Sequence, residues 1–310
     1  MTYDVIVIGG GPAGASAAVA LGRALRSVLL VDAGHPRNAP ADGIHNFLTR
    51  DNIPPAEFRA QAHAEVTRYG GSVISGTVAS ATPRSVTLSD GRTFEGRRLL
   101  VTTGLTDELP EIPGLREQWG HGVIHCPYCH GYEVRGRAIG IIGTSPMSLH
   151  QAMMWRQWSD DITFFQHTAE ADEAALLPLR ARGVTIVTDK VVEVVSNGPA
   201  LSGVRLSDGT LVRRDALVVA PRFLANAEPL ASLGLAAEPN DFGSSVPADP
   251  TGRTAVPGVW VAGNVTDQMA QVVSAAAAGL MVAAALNMDL ITEDTAAAVA
   301  AFSPPSEQAQ

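Results

Sequence analysis

Both cysteines of this 310-residue chain lie in one tetrapeptide, Cys126-Pro127-Tyr128-Cys129, and His130 follows at once. Structural disulfides spread cysteines along a chain so that each bridge joins distant segments. A pair at CxxC spacing points instead to thiol–disulfide exchange or to half of a metal site. Zinc needs four ligands in a tetrahedron, and Cys126, Cys129, His125 and His130 are too bunched to close one together. No second CxxC completes the set, so no metal is expected. His130 titrates near neutrality and suits a base for thiols, or a cation that lowers a cysteine pKa. Its plainer alternative is a polar residue bonded to backbone. His125 is a weaker candidate for the same work.

The second chemical signal is at the start. An apolar strand from Tyr3 to Ile8 runs into Gly9-Gly10-Gly11-Pro12-Ala13-Gly14, then an alanine-rich helix, then a strand Ser27 to Val31 ending in Asp32. This is G-x-G-x-x-G in its βαβ context, with an acid 18 positions after Gly14. Gly9 permits the tight turn, Gly11 lets backbone amides approach a pyrophosphate, and Gly14 allows close helix–strand packing. The helix N-terminus offers N–H groups and partial positive charge to phosphates, and Asp32 can accept from ribose hydroxyls. A dinucleotide site is expected here.

These sites need elements to position them. A polar helix is expected over Pro54 to Tyr69, with short strands over Ser72 to Ala81, Ser85 to Leu88 and Arg97 to Thr102, the last ending in Thr103-Gly104. Pro110 and Pro113 mark a linker into a second unit that repeats the pattern: strand Ala138 to Ile142, helix Ser148 to Trp158, strand Asp161 to Phe165. Trp155 and Trp158 read as core or interface residues. Ser207-Asp208-Gly209 echoes Ser89-Asp90-Gly91, as in a weak internal duplication. Pro247 to Pro257 reads as the way back, to a strand with a Gly263-Asn264 tip and a small-residue helix from Met269 to Asn287. The expectation is an α/β fold of two Rossmann-like, three-layer ββα domains: 1–113 with 246–310, and 114–245.

Composition narrows the classes. Hydrophobic residues make up 46%, enough for a full core, and the net charge is −9, which argues against nucleic acid and anionic membrane surfaces. The apolar stretch Ala270 to Leu286 reads as a buried helix rather than a membrane span. No signal peptide is read, so a cytoplasmic setting is expected. Residues 303–310 read as disordered.

In this order of motifs the chain resembles the low-molecular-weight thioredoxin reductases, FAD-dependent disulfide oxidoreductases of the pyridine nucleotide type. The resemblance implies that Gly9, Gly11, Pro12, Ala13 and Gly14 hold the FAD pyrophosphate and Asp32 the adenosine ribose. It further implies Val78 beside the adenine, Gly104 at the cofactor, Asn46 near the flavin, Gly263 and Asn264 at the ribitol, and Gln271 at the pyrimidine edge. His45, beside Asn46, either faces the flavin or caps a turn. The family usually has Asp where Asn264 stands.

Two departures shape the functional expectation. The second nucleotide loop reads Gly140-Ile-Ile-Gly143-Thr-Ser-Pro146-Met147-Ser148, with Pro146 and Met147 where small residues should leave room for a pyrophosphate. The basic cluster expected after the next strand is replaced by Gln166-His167-Thr168-Ala169-Glu170, so an NADPH 2′-phosphate has no bidentate arginine. His130 replaces the acid usual after the family's CxxC. Together these features resemble the dithiol oxidases that close disulfides in holomycin- and gliotoxin-type products. That resemblance implies catalysis by Cys126, Cys129 and His130 on a small-molecule dithiol, with electrons passing through FAD to O2 to give H2O2, in a homodimer. The alternatives are a reductase fed by NAD(P)H or ferredoxin, and a flavoprotein redox sensor.

Overall fold

Val5 to Ile8 are buried on both faces, so the first strand needs a layer on each side. The computed structural model describes residues 2–302, and the expected disordered tail, 303–310, lies outside the described residues. The chain divides into two compact units. Unit 1 comprises Met1–Pro36, Arg59–Leu105 and Ala225–Gln310; unit 2 comprises Arg37–Phe58 and Thr106–Leu224.

In unit 1, β1 (Thr2–Ile8) leads into α1 (Pro12–Arg23), and β2 (Val28–Asp32) into α2 (Pro55–Arg68), of which Arg59 onward belongs to this unit. Next come β3 (Ser72–Ser75), β4 (Val78–Thr82), β5 (Ser85–Leu88) and β6 (Thr93–Val101). The strand expected over Ser72 to Ala81 is two strands, broken at Gly76-Thr77. The sheet order is β3-β2-β1-β6-β5-β4, with β19 (Val259–Val261) also paired to β6. The β3, β2, β1, β6 and β19 neighbours run parallel, whereas β4 and β5 form an antiparallel appendage. Val5 and Val7 pack on Ala13, Ala17 and Leu286 of the helical layer, while Ile6 and Ile8 pack towards Val86 and Leu88. Alternate side chains thus serve opposite layers, the ββα arrangement expected.

The last helix, α6 (Val272–Ala301), is longer than expected, because its second half is held by ion pairs rather than by apolar periodicity. Asp289 takes Arg98 at 2.7 Å, Glu293 takes Arg97 at 2.9 Å, and Asp294 takes Arg26 at 2.9 Å. By length and composition this helix could cross a membrane. It is nevertheless anchored by α1: a Cβ on Gly279 would stand 2.0 Å from the Ala13 carbonyl oxygen, so the two backbones touch. The expectation of a helix buried all round needs correction, since Leu280, Met281, Met288 and Ile291 are exposed.

The chain passes between the units through β7 (Leu105–Glu108) and β16 (Arg222–Ala225). Unit 2 repeats the scheme with a parallel sheet in the order β11-β10-β9-β15-β8. Its strands are β8 (Val123–Ile124), β9 (Ile139–Ile142), β10 (Ile162–Phe165), β11 (Thr185–Val187) and β15 (Ala216–Val218). One face carries α4 (Met147–Trp155) and α5 (Glu173–Ala181), packed through Ala152, Trp155, Leu176 and Leu179. The other carries the antiparallel β12 (Val191–Asn197), β13 (Ala200–Leu206) and β14 (Leu211–Arg213). The short hairpin β17 (Glu238–Asn240) and β18 (Gly243–Ser245) belongs to unit 1.

The unit boundaries differ from the expected domain bounds. The segment 37–58 groups with 106–224, closed by the Ile44–Ile53 bridge, the Phe47–Phe58 ring contact and Gly120 packed under Pro40. This aperiodic loop carries no pattern that would assign it to either unit.

Candidate redox site and nucleotide loops

The redox turn is short and made by backbone. Strand β8 ends at Ile124, His125 follows, and Cys126 caps the single helical turn α3 (Pro127–His130) in extended conformation. Pro127 at the first helical position supplies the preset φ and lacks only an N–H that the turn would leave unbonded. The Cys126 carbonyl accepts from both Cys129 and His130 N–H at 3.1 Å. With their Cα atoms 5.2 Å apart, Cys126 and Cys129 form the disulfide. Gly131 closes the turn because a Cβ there would strike Pro127 O at 2.4 Å and Trp158 Nε1 at 2.8 Å. Trp158, placed in the core or an interface from sequence, meets Tyr128 edge-on at 5.6 Å. Tyr128 itself is 59% exposed, so the turn shows an aromatic face between its two sulfurs.

Two histidines flank the disulfide in different states. His125 Nδ1 lies 3.0 Å from the Val219 carbonyl and 2.9 Å from the Gln151 amide. With Nδ1–H donating to that carbonyl, Nε2 is the ring's acceptor. Burial holds the His125 pKa below its ordinary value, and the Val219 contact offsets this in part. Among the described residues, His130 has no hydrogen-bond partner at either buried ring nitrogen. Burial pushes its pKa down as well, against the opposing pull of the Glu133 carboxylate. Both rings therefore favour the neutral form at pH 7, the form that accepts a proton. Asn46, expected near the flavin, donates its Nδ2 to the Tyr128 carbonyl at 2.6 Å and so braces the redox turn. No cluster among the described residues could hold a metal ion.

The first glycine loop is open. Gly9 has φ 111°, and a Cβ there would meet Thr102 O at 2.4 Å. Thr102 Oγ1 reaches the Ile8 carbonyl at 3.0 Å and the Gly9 carbonyl at 2.8 Å, which fixes the turn. A Cβ on Gly14 would stand 1.9 Å from Gly9 O, whereas nothing lies within 4 Å of one on Gly11. Pro12 begins α1, no side chain caps it, and Ala13 lies against Gly263. Uncapped N–H groups over an open glycine fit a pyrophosphate. Asp32 stands at the end of β2, its Oδ1 accepting from Gly34 N–H at 3.0 Å and its Oδ2 from Arg59 at 3.0 Å. Arg59 was not anticipated, and neither was His63, whose Nε2 is 3.1 Å from the Gly10 carbonyl. Val78 opens β4 with its side chain in the core, and Gly104 has φ 71° with open space about it. Gln271 caps α6, whose first turn no side chain closes.

Asn264 is committed to its own turn. Its Nδ2 donates to the Asp267 carbonyl at 3.0 Å and the Ala270 carbonyl at 2.9 Å. An aspartate has no N–H to give and would set a charge against both oxygens. Asn264→Asp is therefore expected to destabilise the fold by about 1–3 kcal/mol. Thermal melting checks this, with a loss of about 2–4 °C per kcal/mol.

The second loop is closed. Ser148 Oγ accepts from Thr144 N–H at 3.1 Å and from Ser145 N–H at 3.4 Å. Pro146, next in line, has no N–H. The amides that would greet a pyrophosphate are thus absorbed by the chain itself. A Cβ on Gly143 would meet Gln166 O at 2.6 Å, so the glycine there serves packing. His167 Nδ1 accepts from Val191 N–H at 3.2 Å, and burial, with Lys190 beside it, keeps its pKa low. Its neutral ring offers a 2′-phosphate no charge, and Lys190 is the cation beside it. The obstruction by Pro146 was visible in the sequence; the serine that closes the loop was not.

Residues 3–279 match the family described as pyridine nucleotide-disulphide oxidoreductase. The chain belongs to that family. Members of this disulphide oxidoreductase family are FAD flavoproteins, and the open first loop fits that cofactor. A thioredoxin reductase of Leptosphaeria maculans, sirT, is 31% identical over 95% of this chain and 96% of its own. A thioredoxin reductase of Claviceps purpurea, tcpT, is 33% identical over 84% of this chain and 86% of its own. Among solved structures, HlmI is 42% identical and superposes with a TM-score of 0.90 over 97% of this chain and 96% of its own. The chain is accordingly a thioredoxin-reductase-like disulfide oxidoreductase, and the α/β fold of Rossmann-like units is the one these relatives share.

Proposed function

We propose that this disulfide oxidoreductase is a dithiol oxidase: it converts a small-molecule dithiol and O2 into a cyclic disulfide and H2O2. The contrast between the two nucleotide loops carries the reading. One is uncapped and open at Gly11, and the other is closed by Ser148 and lacks an N–H at Pro146. A redox disulfide whose second nucleotide loop is closed in this way is suited to drawing its electrons from thiols.

A substrate thiolate attacks Cys126, the S–S bond breaks, and Cys129 leaves as a thiolate. The substrate's second thiolate then attacks the mixed disulfide, freeing Cys126 and releasing the cyclic product. His130 and His125 Nε2 take the protons of the substrate thiols. FAD, when bound, supplies the two-electron exchange that returns Cys126 and Cys129 to the disulfide, with oxygen as acceptor. Gly9, Gly11, Pro12, Ala13 and Gly14 would hold its pyrophosphate, and Asp32 its ribose. The Gln271 end of α6 would meet the flavin's pyrimidine edge. A homodimer belongs to the same proposal on resemblance alone, and a cytoplasmic setting is proposed with it.

The rival reading is a reductase fed by NADPH, favoured by the names of the two fungal relatives. Anaerobic mixing of the yellow protein with a dithiol, and separately with NADPH, decides between them. Bleaching of the visible flavin absorbance is expected with the dithiol alone, reversed by air with peroxide formed. Rapid bleaching by NADPH would sink the oxidase.

A further inference from the structure

Helix α2 sets Arg59 and His63, one turn apart on one face, against the first glycine loop. Both residues belong with that loop to unit 1. Arg59 is accounted for by Asp32, whose Oδ2 accepts from its Nη1 at 3.0 Å. His63 has a different partner. Its Nε2 lies 3.1 Å from the Gly10 carbonyl oxygen, nearer than Asp32 Oδ2 at 3.5 Å. A carbonyl only accepts, so His63 Nε2 carries a proton and donates it there. Asp32 lies flush against the same glycine, since a Cβ on Gly10 would stand 2.5 Å from Asp32 Cγ.

The peptide joining Gly10 to Gly11 is trans, and in a trans peptide the C=O and the N–H point in opposite directions. Turning the Gly10 carbonyl to His63 therefore turns the Gly11 N–H away from that ring. With a glycine on either side, no Cβ holds this peptide plane in one orientation. His63 supplies what the glycines lack. Gly11 is the extended residue that opens α1, with no side-chain cap and nothing within 4 Å of an added Cβ. We propose that His63 is a positioning residue for the cofactor: by holding the Gly10 carbonyl it presents the Gly11 N–H to the FAD pyrophosphate. The inference concerns FAD alone and stands whether thiols or a nicotinamide supply the electrons.

The test titrates the full-length apoprotein with FAD, read by quenching of flavin fluorescence, and uses ADP and adenosine as competitors. His63→Leu removes the donor and frees the peptide to turn its N–H aside. FAD and ADP should then bind about 10- to 100-fold more weakly, the worth of a hydrogen bond to a charged group. Adenosine has no phosphate and should bind as before. His63→Gln carries an amide N–H at nearly the same reach, and should restore most of the affinity. His63→Asn is polar but one methylene shorter; it should be as weak as the leucine variant, and replaces it if that protein does not fold. Melting of each apoprotein shows which variants are folded. Wild-type FAD affinity in the leucine or asparagine variant, or a glutamine variant as weak as either, would overturn the proposal. So would an equal loss for adenosine and ADP, which would put the effect of His63 at the Asp32 ribose contact instead.

Discussion

Cys129→Ser is expected to accumulate a mixed disulfide that the native protein turns over. With Cys129 gone, Cys126 keeps a free thiol that can attack a linear aryl disulfide but cannot pass the bond on. The adduct should persist, detected as one added mass per chain. Cys126→Ser should label far more slowly if Cys126 is, as proposed, the sulfur that exchanges with the outside. Both variants should lose dithiol oxidation by about a thousandfold or more, since the two sulfurs act as one unit. Faster labelling of Cys126→Ser would reverse the order of the two sulfurs and leave the rest of the cycle standing.

The glycine loop allows folding and cofactor binding to be separated with two one-methyl substitutions. Gly14→Ala sets a Cβ 1.9 Å from the Gly9 carbonyl oxygen, a backbone atom that cannot swing aside. Parting α1 from the end of β1 should cost about 3 kcal/mol. A drop in melting temperature of about 6–12 °C would follow, with the protein purified colourless. Gly11→Ala meets nothing within 4 Å and keeps an ordinary φ of −73°. Its melting point without cofactor should be unchanged, while the new methyl occupies the space a pyrophosphate needs. Titration with FAD should then show weakened binding in a normally folded protein. Equal FAD affinity in Gly11→Ala and wild type would remove the pyrophosphate from this loop.

The parts of the site most legible in the sequence are those whose geometry is local. Pro127 and Cys126 set the redox turn within five residues, and Gly9 and Gly14 each answer a steric demand made by the turn itself. What escaped notice depends on residues distant in sequence or on which of several local hydrogen bonds forms. Ser148 looked like the start of a helix, and nothing in its neighbourhood says that its hydroxyl will absorb two amides. Glu133 and His45, whose side chains meet at 3.6 Å, are 88 positions apart. Their meeting depends on a loop whose lack of periodicity hides its partner. Asn264 stands where the family usually has Asp, and nothing in its neighbourhood says that its amide staples its own turn. The length of α6 was underestimated because Asp289, Glu293 and Asp294 break the apolar pattern, and only the arginines of distant strands explain why they are there.

The interleaving of the two units has a consequence for synthesis. Every residue of unit 2, the disulfide among them, has been made once the ribosome passes Leu224. Unit 1 begins first but closes last, because α1 waits for Gly279 to fill the space against Ala13. The cysteine pair is therefore complete in the nascent chain while the wall of the cofactor's own unit is still missing. The order of translation alone places the cysteine pair ahead of the helix that completes the flavin's unit.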